Sequence, residues 1–341
     1  MPRISVFDML KIGVGPSSSH TMGPWRAAHR FLIECQQHTP LHQIQRVQVD
    51  LFGSLAKTGK GHGTDVAVLM GLKGEDPATC DIEPIPNLLQ TVDQQQQLDL
   101  LGKYQIRFVL ETDLLFHYDQ SLPFHPNAVQ FTADLTNGGQ ISDIYYSVGG
   151  GFVVKDKEEL TAASDVILPY PCDVSADLLK HCHGADFSIA DMVWKNELVW
   201  RSEDEIRSGL LAIWETMASC IYRGCHTPGE LPGGLRVIRR ASQLHRKLNG
   251  DATYNNQAEW LDQIQHKHIN FQEMVKWISC FALAVNEENA AFGRVVTAPT
   301  NGAAGVLPAV LMYYVASYNV SDDDIVRFLL IAGEIGTFFK K

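Results

Sequence analysis

A change of apolar spacing near residue 155 constrains this 341-residue chain more than any other feature. Before it, apolar and polar side chains alternate in short runs, as they do in half-buried strands. The runs are RVQVDLF (46–52), QIRFV (105–109), VQFTA (129–133) and ISDIYY (141–146). Between them, residues 23–37 and 62–72 predict helices, and 86–101 a weaker third, with the glutamines at 94–97 on a solvated face. One more strand follows Gly149, Gly150 and Gly151. Beyond it the spacing is helical almost throughout. The stretch SEDEIRSGLLAIWETMASCIY opens with Ser202 and Glu205 as a capping box. Its Ile206, Leu210, Trp214, Met217 and Ile221 form one apolar stripe. Ser321 with Asp324 starts a second such helix, running towards Phe338. The expected fold is therefore α+β: an N-terminal α/β domain over 1–155, a charged, proline-marked linker over 156–172, and an all-α domain over 173–341.

Bulk properties narrow the function classes. A net charge of −11 argues against a nucleic-acid surface, which needs a basic patch. No apolar stretch is long and uninterrupted enough for a membrane span. Seven cysteines are scattered singly, with no C-x-x-C and no secretion signal, which predicts reduced thiols in the cytoplasm. Among other conspicuous residues, Cys182 and His183 read as a helix end and His266 and His268 as solvated. Trp194, Trp200 and Trp214 read as core.

Three segments carry possible chemistry. In GPSSSHTMGP, residues 15–24, Ser17, Ser18, Ser19, His20 and Thr21 stand directly before a helix. Hydroxyls and unbonded N–H groups at a helix N-terminus suit a carboxylate or phosphate; an elaborate N-cap is the bland alternative. In GSLAKTGKGHGTD, residues 53–65, nucleotide-binding patterns fail: five residues separate Gly53 from Gly59, and Thr64 stands where a third glycine would be needed. What remains is Lys60, His62, Thr64 and Asp65 on a glycine-rich turn. His62 suits a general base or, alternatively, a cap for the next helix. In VVTAPTNGAAGVLPAV, residues 295–310, Thr297, Thr300 and Asn301 precede small residues that open a helix, another anion-friendly terminus. Tight packing accounts better for Ala303, Ala304 and Gly305.

Together the strings ISVFDMLKIGVGPSSSHTMGPWRAA, LFGSLAKTGKGHGTD, YYSVGGGF, LPGGL and APTNGAAG, in this order, resemble the iron–sulfur-dependent bacterial L-serine dehydratases (L-serine ammonia-lyases). The resemblance implies an N-terminal domain like amino-acid-sensing regulatory domains, followed by a helical catalytic domain. It implies conversion of L-serine to pyruvate and ammonia, in a cytoplasmic homodimer. His62, with Thr64, takes the position of the base. Ser17, Ser18, Ser19, His20, Thr21, Lys60, Thr300 and Asn301 become substrate-binding residues, with the hydroxylated loops of both halves converging on the substrate. The family's cofactor is a 4Fe–4S cluster whose cysteines lie beyond the position of Lys341. None of the seven cysteines matches them, so the expectation is no metal ligand here and little turnover by this chain alone. Two readings compete: a non-catalytic amino-acid-binding module, and a pyridoxal phosphate enzyme with Lys60 as its Schiff-base lysine.

Overall fold

The computed structural model describes residues 3–158, 166–184, 188–233, 235–267, 270–298 and 300–339. The chain divides into two compact units, Gly13–Leu160, and Met1–Ile12 together with Thr161–Lys341. The first is α/β and the second mostly helical. Its opening helix α1 (Val6–Met9) belongs to the helical unit, and β1 (Ile12–Val14) follows it.

In the α/β unit, a π-helical turn (Ser18–Met22) runs straight into α2 (Gly23–His38). Pro24 sits in the first turn of α2, where its missing N–H costs nothing. Trp25, Ala28, Phe31, Leu32 and Cys35 recur at helical spacing and are buried. They pack on a five-stranded sheet in which β2 (Ile44–Phe52) leads into α3 (Gly53–Lys57) and then α4 (Thr64–Leu72). Every residue of α4 is buried, which explains its unbroken apolar run. A Cβ on Gly71 would stand 2.2 Å from the Trp25 carbonyl oxygen, so only glycine lets α4 approach α2 this closely.

The stretch 86–101 departs from the helix expected of it. Leu88–Gln95 forms α5, but Gln96 adopts φ 50° and ends it. The next residues form β3 (Gln97–Leu100), antiparallel to β4 (Tyr104–Arg107). Buried Leu98 and Leu100, alternating with exposed Gln97 and Asp99, are a strand signal that the neighbouring helical spacing hid. After α6 (Leu110–Asp113) come β5 (Leu114–His117), β6 (Asn127–Leu135), β7 (Gln140–Ser147) and β8 (Val153–Lys155). The sheet order is β5-β2-β6-β7-β8, with β2 parallel to β5 and antiparallel to β6. Phe31 of α2 stacks on Phe131 of β6 with ring centroids 5.2 Å apart.

The helical unit contains α7 (Ser175–Gly184), α8 (Ile189–Glu197), α9 (Glu203–His226), α10 (Ala241–Asn249), α11 (Gln257–Gln265) and α12 (Phe271–Ala290). A short strand, β9 (Arg294–Val296), precedes α13 (Val306–Ser317) and α14 (Asp322–Thr337). Both expected capping boxes form, Ser202 with Glu205 and Ser321 with Asp324, and the whole stripe from Ile206 to Ile221 is buried. A Cβ on Gly224 would lie 2.4 Å from the Ala284 carbonyl oxygen, which fixes how closely α9 and α12 pack. Segment 3–11 is held by buried Glu197, whose carboxylate accepts from the Ser5 hydroxyl and the Val6 amide, each at 2.8 Å. Burial pushes the Glu197 carboxyl up, against the opposing pull of these donors and Arg201.

Of the three expected core tryptophans only Trp214 is buried; Trp194 and Trp200 are half-buried, and the deepest indoles are Trp25 and Trp260. His266 is solvated, as expected, at the end of α11, while His268 lies outside the described residues, as do 159–165 of the expected linker. No helix of the described residues is long and apolar enough to cross a membrane.

Candidate functional site

The serine-rich stretch is a capped turn with donors to spare. Ser17 is its N-cap: its hydroxyl accepts from the His20 amide at 3.1 Å, and its carbonyl accepts from the Thr21 and Met22 amides. One hydroxyl therefore does the capping, and the rest need another explanation. The amides of Ser18 and Ser19, the first of the turn, bond none of the described residues, as first-turn amides must when no side chain reaches them. Ser19 Oγ lies 2.9 Å from His20 Nδ1, and His20 Nε2 lies 2.9 Å from Ser54 Oγ at the start of α3. The Ser147 hydroxyl, from YYSVGGGF, donates to the Ser19 carbonyl at 2.7 Å. A Cβ on Gly23 would collide with that hydroxyl at 2.0 Å, so this glycine makes room for it.

The glycine-rich turn meets the serine turn by a reciprocal pair of hydrogen bonds. The Thr21 hydroxyl donates to the His62 carbonyl at 2.7 Å, and the Thr64 hydroxyl donates to the His20 carbonyl at 2.6 Å. Both threonines are fully buried. Their protons thus serve the scaffold, which makes them positioning residues for the two histidines. The histidine rings stand 4.9 Å apart. Burial and the neighbouring His62 hold His20 below the ordinary histidine pKa, so it stays neutral.

His62 does not cap α4: the N-cap is Gly63, with φ 62°, and no side chain caps it. His62 instead lies in the preceding tight turn, Lys60–His62, with Nδ1 2.9 Å from the Thr58 carbonyl oxygen. A carbonyl only accepts, so in the neutral ring Nδ1 carries the proton and Nε2 the lone pair. No described residue bonds that Nε2. The ring is half-exposed, open to a reactant yet fixed in tautomer. Asp65 is buried, its carboxyl pushed up by burial although it accepts from the Val66 amide. Exposed Lys60 turns its ammonium over the Phe116 ring, 5.0 Å from the centroid.

In the helical unit, α13 begins at Val306, so Thr300 and Asn301 sit in turns before the helix and not at its N-terminus as expected. Asn301 is buried; its amide donates to Asn289 Oδ1 at 2.9 Å, and its own Oδ1 bonds none of the described residues. The exposed Thr300 hydroxyl accepts from the Ala303 amide at 3.3 Å. Thr297 has a structural task, linking the Lys11 amide to the Met9 carbonyl through its hydroxyl. Gly305 is a packing residue as expected, since a Cβ there would stand 2.8 Å from the Ala282 carbonyl oxygen. Sequence reasoning missed Ser54 and Ser147. Both lie inside recognisable strings, but nothing local marks them as partners of residues 19 and 20.

Comparison with known proteins settles the lineage. Residues 5–158 match the family model described as serine dehydratase beta chain, and residues 184–341 the one described as serine dehydratase alpha chain. "L-serine dehydratase" of Streptomyces coelicolor is 44% identical over 99% of this chain and 72% of its own length. "L-serine dehydratase 1" of Escherichia coli gives the same figures, and "L-serine dehydratase" of Helicobacter pylori is 35% identical over 100% of this chain and 72% of its own length.

The chain belongs to the L-serine dehydratase family. It is a lyase by that membership. The iron–sulfur cluster implied by the family resemblance would need several thiolates at one place. The cysteines among the described residues do not gather so. All seven remain thiols, six of them buried. Burial pushes Cys35 up to about 12 and raises Cys220 and Cys225 as well, Cys225 also through its neighbour Cys280. Among the described residues no three His, Cys, Asp or Glu side chains form a metal-holding group. These residues do not fit the cluster.

Proposed function

We propose that this chain binds L-serine and supplies the base for its β-elimination to pyruvate and ammonia, with His62 Nε2 taking the Cα proton. The observation that carries the reading is the Nδ1–H bond of His62 to the Thr58 carbonyl, which leaves Nε2 as a directed lone pair on a half-exposed ring. Beside it, the Ser18 and Ser19 amides and the hydroxyls of Ser17, Ser18 and Ser19 suit the substrate carboxylate. His20, held below the ordinary histidine pKa by burial and His62, adds no charge of its own to that clamp. Thr21 and Thr64 hold the two histidine carbonyls and so set where the rings stand. Lys60 brings a positive charge to the turn that carries His62. Thr300 and Asn301 remain substrate-binding residues in this reading, supported by the buried Asn301 carbonyl oxygen that bonds none of the described residues.

Loss of the Cα proton leaves an electron pair that forms the Cα–Cβ double bond as the β-hydroxyl departs; the aminoacrylate then tautomerises and hydrolyses to pyruvate and ammonia. None of the residues named above takes up the departing hydroxyl. Slow turnover by this chain alone is part of the proposal, as are the domain limits 1–155, 156–172 and 173–341 and a cytoplasmic homodimer.

The test pairs calorimetry with pyruvate formation. His62→Gln should leave L-serine affinity within about threefold while any elimination falls about 10²- to 10⁴-fold, the worth of a general base. Serine binding without turnover by the unaltered chain, with no effect of His62→Gln, would favour the amino-acid-binding module instead. Absence of serine binding sinks both.

A further inference from the structure

The helical unit carries a second polar site, independent of the residues discussed so far. A cleft of about 280 Å³ lies between the end of α9 and α10, lined among others by His226, Ser242, His245, Arg246, Asn249 and Tyr254. Among the described residues no carboxylate lines it.

Ser242 is 4% exposed, and its hydroxyl bonds none of the described residues. A buried hydroxyl left so is costly and calls for a partner. His245 stands one turn further along α10 and Arg246 one residue beyond, which places the three on one face. Trp260 Nε1–H donates to His245 Nε2 at 2.9 Å, so His245 carries its proton on Nδ1. Burial, with His226 and Lys267 nearby, lowers His245 to about 4 and keeps the ring neutral. The partner histidine is fixed in the same tautomer. His226 Nδ1 lies 2.5 Å from the Tyr222 carbonyl oxygen and so donates; its Nε2 accepts the Tyr254 hydroxyl proton at 2.6 Å. Tyr254 therefore offers the cleft only the lone pairs of its oxygen. Arg246 uses one N–H on the Ser242 carbonyl, at 3.4 Å, and keeps its other donors.

The site thus presents a hydroxyl donor, an imidazole N–H, the Asn249 carboxamide, a guanidinium and one phenolic acceptor, with a single permanent positive charge among its lining residues. A carboxylate matches the guanidinium, and an α-hydroxyl can accept from Ser242 or His245 while donating to Tyr254. An α-ammonium has no anion to meet. We propose that this cleft binds a small 2-hydroxy monocarboxylate, with its carboxylate on Arg246 and its hydroxyl among Ser242, His245 and Tyr254.

L-lactate is the probe, titrated into the full chain by calorimetry beside L-alanine, in which an ammonium replaces the hydroxyl. Lactate should bind and alanine should bind at least about tenfold more weakly, one mismatched buried hydrogen-bonding group being worth that much. Ser242→Ala and Arg246→Gln should each weaken lactate about tenfold or more. Ser242→Ala should melt no lower than the unaltered chain, because it removes an oxygen that bonds none of the described residues. Equal affinity for alanine, undiminished lactate affinity in either variant, or no lactate heat up to roughly 50 mM would each overturn the assignment.

Discussion

Gly59 and Gly61 stand in the same turn and answer to different constraints. A Cβ at Gly59 would lie 1.9 Å from the Leu55 carbonyl oxygen and 3.0 Å from the Thr64 side chain, whereas one at Gly61 meets nothing within 4 Å. Gly59→Ala should therefore cost about 1–3 kcal/mol, as overpacking does, and disturb the Thr64 bond to His20. Gly61→Ala should be neutral or stabilise by about 0.4–1 kcal/mol by restricting the unfolded chain. Urea midpoints of the two variants check this. Residue type alone pointed to His62 and to the serines before α2. It could not tell that Thr21 and Thr64 spend their protons on the opposite histidine's carbonyl, since hydroxyls look alike whether they bind a ligand or a backbone. Nor could it find the Thr58 carbonyl that fixes the His62 tautomer, because a main-chain atom leaves no mark in the sequence.

Elements with local signals were legible, and elements made by tertiary pairing were not. Ser202 accepts from the Glu205 amide, and the Ser202 amide and hydroxyl bond the Glu205 carboxylate at 2.8 Å. Ser202→Ala should cost about 1 kcal/mol and fray the first turn of α9, visible as faster amide exchange at residues 203–206. The same pattern closes α1, α8 and α12 through Ser5 and Asp8, Ser188 and Asp191, and Asn270 and Glu273. By contrast, β5 is a short strand whose place depends on its parallel register with β2, Val49 opposite Leu114. β3 starts only where Gln96, a residue with no special claim to positive φ, breaks α5, and it turns into β4 through Leu101 and Gly102, both at positive φ. Five side chains of the α9 stripe fall on one face whatever surrounds them, but a four-residue strand is defined by its neighbour.

At the scale of the whole molecule, acidity should loosen the helical unit. His245 is held neutral, its pKa down at about 4 against an ordinary 6.5. Below pH 6.5 the unfolded chain takes up a proton that the folded one refuses. Stability is thus full above 6.5 and declines as pH falls towards 4, by up to about 3 kcal/mol from this group. Denaturant midpoints measured across that range should slope downward with acid, and His245→Gln should remove that part of the slope. The division into an α/β and a helical part was legible from the change in apolar period. The membership of α1 in the helical part was not, because the contact that decides it, Glu197 with Ser5 and Val6, spans about 190 positions. That contact sets an order on the ribosome. Residues 3–11 are translated before the sheet, yet their anchoring carboxylate is translated only after it. The α/β part can therefore close while the amino-terminal segment still waits for its partner, and any nascent-chain trap would catch that segment exposed to chaperones.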